Sequence, residues 1–367
     1  VNAAVTLQEL TIDATNLGKP LVDIEAVPEN KAKKADGSDS NYGIIPNITI
    51  ENVTINALKQ SLVSNTKGNV LFEKVLVNND VIEIVGNNTI FAMGNGFAAD
   101  MRITNSTLWS KDGHQGFLFQ AQGRPKDVSA ETVTSWTIDK STLYQIAKGK
   151  KANNNNSGIK GQSTTTMVLT NNILADFGSS TGNEVNGWLW GQNSTSPSLT
   201  YANNTYWAGD AVVAGWTDAS KGGSDQTGTS LTTNPEFKDA AAGDFTIGAT
   251  TMQAREKTGD PRWLTDFVAP EVDKTALEAE IAAATDLVGD DDSEAAKTLN
   301  DAIADAQAVD DATGSFQEEV DEATEALKAA EEAYKVAVAK DALESEIAAA
   351  TELLGAADTT SDPGKSL

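Results

Sequence analysis

Along the chain as far as Tyr206, apolar residues alternate with polar ones, meet a polar residue, and then resume for a second short run. This register occupies Val5–Ile12, Ile48–Ile55, Val70–Val77, Met101–Leu108, Trp136–Leu143 and Met167–Leu174, with a looser copy at Leu199–Tyr206. Period-two alternation on both sides of a polar residue predicts two short strands meeting at a bend. Asparagine suits such a bend because it tolerates left-handed backbone and bonds to neighbouring peptide groups. Taken as anchors, Asn52, Lys74, Asn105, Lys140, Asn171 and Asn203 recur at a nearly even interval, shortest from Asn52 to Lys74. The first interval, from Glu9, is longer and contains the polar stretch 29–42, which reads as a loop.

A repeat of this length cannot bury its apolar face alone, so successive copies are expected to stack as a mainly β, parallel-stranded solenoid. Asparagines at one place in successive coils would then form a ladder. A β-sandwich is the competing architecture, and it gives no reason for the register to return at a nearly constant interval. Each coil carries a further strand. Gly116–Gln120, Gly158–Gln162 and Gly187–Gln192 look equivalent, and the loops before them, 109–115, 144–157 and 175–186, vary in length. Variable loops on a repetitive scaffold are where function concentrates.

After Pro270 the period changes. Leu277, Ile281, Ala284 and Val288 share one helical face, as do Leu299, Ile303 and Ala306, and then Val320, Leu327 and Tyr334. Thr275 with Glu278, and Ser315 with Glu318, have capping-box spacing and are expected to open the first and third helices. Gly289–Asp292 and Asp310–Gly314 supply the breaks. The stretch Lys274–Leu287 recurs at Lys340–Leu353, and no Gly or Pro interrupts 315–354. The third helix is therefore expected to run straight into the next copy. The domain reading is a solenoid over 1–268, an acidic all-α three-helix repeat over 269–340, and the start of a second, truncated copy over 341–367.

Composition narrows the chemistry. The chain has no cysteine, which removes disulfides, thiolate metal sites and cysteine nucleophiles, and its single histidine, His114, precludes a multi-histidine metal site. No apolar run is long enough to suggest a membrane span. Val1–Val5 is neither a basic nor an apolar leader segment, so a leader or anchor is expected outside these residues. Of the net charge of −26, residues 271–367 carry 26 acidic and 6 basic groups, a net of −20, leaving −6 for the rest. That balance disfavours nucleic acid as a partner. Asp290, Asp291 and Asp292 raise the question of calcium, but they lack the spacing and glycine of an EF-hand loop, so no cofactor is expected.

Two resemblances add a setting. The bend asparagines resemble the ladder of pectate-lyase-like right-handed parallel β-helices. The ending at Asn234–Lys238, Gly243–Ile247 and Gly259–Trp263 is similar to the closing segment of β-helix proteins from Bacteroidota surfaces, many of them encoded among polysaccharide-utilisation genes. This likeness covers residues 1 to about 265. It implies a right-handed β-helix, an extracellular or outer-membrane location, and a polysaccharide partner. The tail resembles the three-helix modules called "found in various architectures" in bacterial surface proteins, which implies a spacer or attachment module.

Lyases of the β-helix type need a base and a positive group to neutralise a uronate. Arg124, Lys126, Lys140, Lys148, Lys150, Lys151 and Lys160 form a basic island facing only Asp127, Glu131 and Asp139, although a solvated lysine loop is the plainer explanation. Lys140, Lys160, Arg124 and His114 are the candidates for catalysis. For hydrolysis, Asp100, Asp112, Asp139 and Asp176 are available, with no motif selecting a pair. Trp109, Tyr144 and Trp207 each follow the last residue of the register and form a column, either for stacking on sugars or for turning into the core; Trp188 and Trp190 read as interior. Thr11, Thr54, Thr107, Thr142 and Thr205 form another column, interrupted by Leu76 and Ile173, which an ice-binding face or ordinary strand surface explains. The expected function is glycan binding through Trp109, Tyr144, Lys148, Lys150, Lys151 and Trp207. A polysaccharide lyase or glycoside hydrolase, and a ligand-free stalk, are the alternatives.

Overall fold

The computed structural model describes residues 4–123, 127–129, 133–148, 159–161, 166–181, 184–186, 198–209 and 225–360. The chain divides into two compact units, Val1–Phe267 and Val268–Leu367.

The first unit is mainly β, with parallel sheets stacked as in a solenoid. One sheet runs through Val5–Gln8, Ile48–Glu51, Val70–Asn78, Phe97–Thr104, Ser135–Asp139, Thr166–Thr170 and Ser198–Ala202. The second runs through Thr11–Asp13, Thr54–Leu58, Val81–Ile84, Thr107–Trp109, Thr142–Tyr144, Ile173–Ala175 and Thr205–Trp207. The third contains Val22–Ile24, Val63–Asn65, Phe91–Gly94, Phe119–Ala121 and Ile159–Gly161. From Ile48 to Gly161 the chain visits the three sheets in rotation, one strand in each per rung. Neighbouring rungs pair in parallel, so Ile48, Val75, Met101, Trp136, Met167 and Leu199 fall in one file.

The alternation in the sequence is the alternation of faces. Ile48, Ile50, Val75, Val77, Met101, Ile103, Trp136, Ile138, Met167 and Leu169 point inward from the first sheet and are buried. Ile55, Ile82, Leu108, Leu143, Leu174 and Tyr206 do the same from the second, and Val63, Phe91 and Phe119 from the third. Phe119 meets Trp136 edge to face, with ring centroids 4.1 Å apart.

Each bend between the first and second sheets is one residue of left-handed backbone. Glu9, Asn52, Asn79, Asn105, Lys140, Asn171 and Asn203 have φ between 48° and 59°. The third bend is thus Asn79, where the sequence pattern had suggested Lys74. The strand Val70–Asn78 is nine residues long because it pairs with both Asp39–Ile45 and Ile48–Glu51. Its first half imitates the register, but the true file places Val75 opposite Ile48. With Asn79 as anchor, the threonine column runs Thr11, Thr54, Val81, Thr107, Thr142, Ile173 and Thr205, and Leu76 lies elsewhere.

Two further expectations change. The stretch 29–42 contains an antiparallel pair, Lys31–Lys33 with Asp39–Ile45, in place of an unstructured loop. In the third sheet Phe119 pairs with Ile159, a shift of two from the equivalence of Gly116 with Gly158. A slip of two keeps each side chain on its own face, which is why the apolar pattern concealed it. Gly187–Gln192, including Trp188 and Trp190, lies outside the described residues.

The second unit has three helices among the described residues. With α1 at Met252–Glu256 in the first unit, these are α2, Thr275–Val288; α3, Glu294–Asp311; and α4, Gln317–Thr360. Leu277, Ile281, Ala284, Val288, Leu299, Ala306, Val320, Leu327 and Tyr334 form their core. The caps differ from the expected boxes. Asp273 Oδ1 accepts the Thr275 N–H at 3.0 Å, and Glu319 accepts the Phe316 N–H at 2.8 Å. Ser293 caps α3 by accepting the Ala296 N–H at 3.1 Å. Helix α4 continues without a break through 340, so the third helix of one repeat is also the first of the next. None of the described helices is long and apolar enough to cross a membrane.

Candidate functional site

Beside the bends, a buried ladder ties the rungs together. The Asp80 carboxylate accepts the Val53 N–H at 2.7 Å, and the Asp80 N–H donates to Ser106 Oγ at 3.1 Å. The series continues from the Ser106 N–H to Ser141 Oγ at 3.3 Å, from the Ser141 N–H to Asn172 Oδ1 at 3.0 Å, and from the Asn172 N–H to Asn204 Oδ1 at 3.1 Å. The inner ladder therefore falls one residue after the bend asparagines. The bend residues themselves form a second, outer set: Asn105 Nδ2 donates to Asn78 and Asn171 Nδ2 to Asp139, both at 3.0 Å.

Next to the bends, the outward face of the first sheet carries a polar file: Gln8, Glu51, Asn78, Thr104, Asp139 and Thr170. Gln8 Nε2 and Asn78 Nδ2 donate to the two Glu51 oxygens at 2.8 and 2.9 Å. Thr104 Oγ1 donates to Asn78 Oδ1 at 2.8 Å, and Thr170 Oγ1 to Asp139 Oδ1 at 2.6 Å. Gln8 is exposed and the other five half-buried, so amide, hydroxyl and carboxylate groups reach the surface once per rung, about 4.8 Å apart. Nothing in the repeat register had singled this file out; its signal was the polar residue just before each bend.

The aromatic column has a different fate. Trp109 and Tyr144 are register partners, as are Ala175 and Trp207, so the rings do stand in one file. The segment after Leu231 returns along this face and covers it. Trp109 is buried edge to face against Phe245 at 5.8 Å, and Tyr144 meets Phe237 at 6.1 Å and Phe245 at 5.4 Å. Trp207 packs with Tyr144, Phe237, Leu264 and Phe267 on a small core of Ile173, Ala175, Ile247 and Ala254. Gly243 lets the segment pass: its φ is +81°, and a Cβ there would stand 2.8 Å from the Trp109 ring.

The closing residues Gly259–Trp263 bond along the threonine column. The Asp260 N–H donates to Thr142 Oγ1 at 3.1 Å, Thr107 Oγ1 donates to Asp260 Oδ2 at 2.8 Å, and Trp263 Nε1 donates to Thr107 Oγ1 at 2.8 Å. Arg262 reaches the bend, donating to the Asn79 carbonyl and side-chain oxygens at 2.9 and 2.6 Å and to the Asp80 carbonyl at 3.2 Å. Burial raises the Asp260 carboxyl above its ordinary range, with Arg262 opposing the shift. Thr205 Oγ1 lies 3.2 Å from Thr258 Oγ1, so Thr107, Thr142 and Thr205 of the column are all bonded by the protein's own chain.

His114 is fully buried and links three rungs. Its Nε2 lies 2.8 Å from the Asn88 carbonyl oxygen, and its Nδ1 accepts the Ala147 N–H at 3.2 Å. These two contacts fit a neutral ring protonated on Nε2. Gly116 passes so close that a Cβ would meet His114 Nε2 at 2.6 Å and the Asn87 carbonyl at 2.5 Å.

The remaining candidates are dispersed. Lys140 is exposed at a bend between the first and second sheets, whereas Lys160 belongs to the third. Lys148 lies 3.5 Å from Asp176 at the surface. Arg124, Lys126, Lys150 and Lys151 fall outside the described residues, as do the side chain of Lys160 and most of the loop 144–157. Asp100 forms an ion pair with Arg102 at 2.9 Å. Its register partner is Ser135, so Asp139 stands four residues along the neighbouring strand, roughly 13 Å away at about 3.3 Å per residue. Glycosidase carboxylates stand about 5–9.5 Å apart, which this pair does not meet. Asp291, considered for calcium, accepts from the Ser293 N–H at 3.0 Å and the Tyr334 hydroxyl at 2.7 Å as part of a turn.

Residues 136–263 match the family described as a domain of unknown function (DUF5123). The match spans the later rungs and the returning segment through Trp263. No curated protein and no solved structure matches the chain.

Proposed function

We propose that residues 1–268 wind as a right-handed parallel β-helix that binds a polysaccharide at the cell surface or outside the cell. The rotation of the chain through three parallel sheets supports the winding, since parallel strands in one sheet are joined almost always by right-handed crossovers. The observation that carries the glycan reading is the outward file Gln8, Glu51, Asn78, Thr104, Asp139 and Thr170. A hydroxyl-rich polymer laid across the strands meets donors and acceptors at each rung. Lys148, with Lys150 and Lys151 beside it in sequence, adds positive charge for an anionic glycan. The helical unit serves as an acidic spacer or attachment module. The covered aromatic column plays no part in this reading, and His114 enters it only as a link between rungs.

The test is affinity electrophoresis on neutral and uronate-containing glycans. Retardation is expected, with loss when Asn78, Thr104 and Asp139 are replaced by alanine, and loss on anionic glycans alone when Lys148, Lys150 and Lys151 are replaced. Retardation unchanged in both variants, or absent throughout, rejects the proposed surface and favours a ligand-free stalk. Unsaturated product absorbing in the ultraviolet during incubation with a uronate polymer would make the protein a lyase.

A further inference from the structure

The distal half of α4 repeats α2 in sequence but not in surroundings. Lys274–Leu287 and Lys340–Leu353 differ only where Thr275, Ala279 and Asp286 are replaced by Asp341, Ser345 and Glu352. Leu277, Ile281, Ala284 and Val288 of α2 correspond to Leu343, Ile347, Ala350 and Leu354 of α4. Spacings of four, three and four place each set on one helical face. The α2 set is buried under α3 and the proximal half of α4: Leu277 is 0% exposed and Ile281 9%. The same face on α4 is open, with Leu343 58%, Ile347 57% and Leu354 72% exposed.

A second, polar observation repeats the contrast. Lys274 Nζ donates to the Val309 and Ala312 carbonyls at 3.2 and 3.0 Å and to the Asp310 carbonyl, capping the C-terminal end of α3. Its counterpart Lys340 is paired with Glu344 of its own helix, at 3.7 Å. The copied segment thus carries both halves of a recognition surface, an apolar stripe and a carbonyl-capping lysine.

We propose that residues 340–354 are a docking face for an antiparallel helix pair with the chemistry of α3 and proximal α4. Such a partner has a Leu, Ile, Val and Ala seam for the stripe. It also has a helix C-terminus whose free carbonyls receive Lys340. A contiguous exposed apolar stripe marks an interaction surface, and the α2 precedent defines its cover: Leu299, Ile303 and Ala306 from one helix, Val320 and Leu327 from the other.

The probe is a polypeptide spanning 289–338, added to the full chain, with amide hydrogen exchange read across 340–354. Exchange there is expected to slow by roughly tenfold or more at saturating probe, because docking removes local opening. Ile347→Glu should abolish the effect, Lys340→Ala should weaken it, and α2 amides should not respond. The same segment grafted after Leu354 should protect the stripe in cis, which guards against a probe that does not fold alone. Unchanged exchange in both formats overturns the proposal. So does protection that rises with the concentration of the full chain alone, because a second copy would then be the occupant.

Discussion

Asp80 shares a file with Val53, Ser106, Ser141, Asn172 and Asn204, and it alone among them brings an ionisable group into the ladder. Burial pushes its carboxyl up to about 7, against the opposing hydrogen bond from Val53, and its second oxygen is buried without a hydrogen-bond partner. The sign follows from proton binding. Between its ordinary value and about 7 the folded state holds a proton that the unfolded state has released, so stability falls as pH rises through that interval. Asn172 and Asn204 use the equivalent position to donate to the Ile138 and Leu169 carbonyls of the preceding rung, at 2.8 and 2.9 Å. An amide at 80 would find the Ile50 carbonyl in that place. Asp80→Asn should therefore raise stability at pH 8 by about 1–3 kcal/mol and flatten its pH dependence, read by denaturant unfolding at pH 5 and 8. A less stable variant at pH 8 would contradict this account. His114→Leu strands the Asn88 carbonyl and the Ala147 N–H inside the stack. It should cost about 2–4 kcal/mol in the same assay, whatever it does to glycan retardation.

At the scale of the elements, the returning segment decides what the second sheet can do. Trp109→Ala should cost about 3–5 kcal/mol, as loss of a buried aromatic does, while leaving glycan retardation unchanged. A variant that stays stable but no longer binds would restore Trp109 as a stacking residue. Thr107→Val removes the two bonds that Thr107 makes with Asp260 and Trp263 and leaves the one from the Asp260 N–H to Thr142; thermal unfolding should drop by an amount corresponding to about 2–4 kcal/mol. The bends at Asn52, Asn105, Lys140, Asn171 and Asn203 and the inward alternation were legible in the sequence, because period and turn chemistry are local properties. The Asn79 bend was hidden by a strand that serves two neighbours, although Asn79 and Asp80 ahead of alternating Val81–Ile84 carried the signal. The cover over the aromatic column was not legible at all: Phe245 lies far along the chain from Trp109, and nothing local in either segment specifies the other. The polar file was present in the sequence but looked like ordinary strand surface until rungs were set side by side.

For the whole molecule, the change of period after Pro270 and the shift in charge both marked the two units, since an amphipathic helical stripe and a two-residue alternation are incompatible patterns. The proposed binding surface was less accessible, because a file assembled from one position per repeat exists only once the rungs stack. That stacking is the central claim, and the absence of cysteine makes it measurable. Thr6 and Thr200 are exposed in one outward file of the first sheet, separated by six strand spacings. With cysteines introduced at both positions and spin-labelled, pulsed dipolar spectroscopy should give a narrow distribution centred at about 29 Å, six times the spacing of about 4.8 Å. A mean beyond about 40 Å, or a broad distribution without a preferred distance, would contradict the stack.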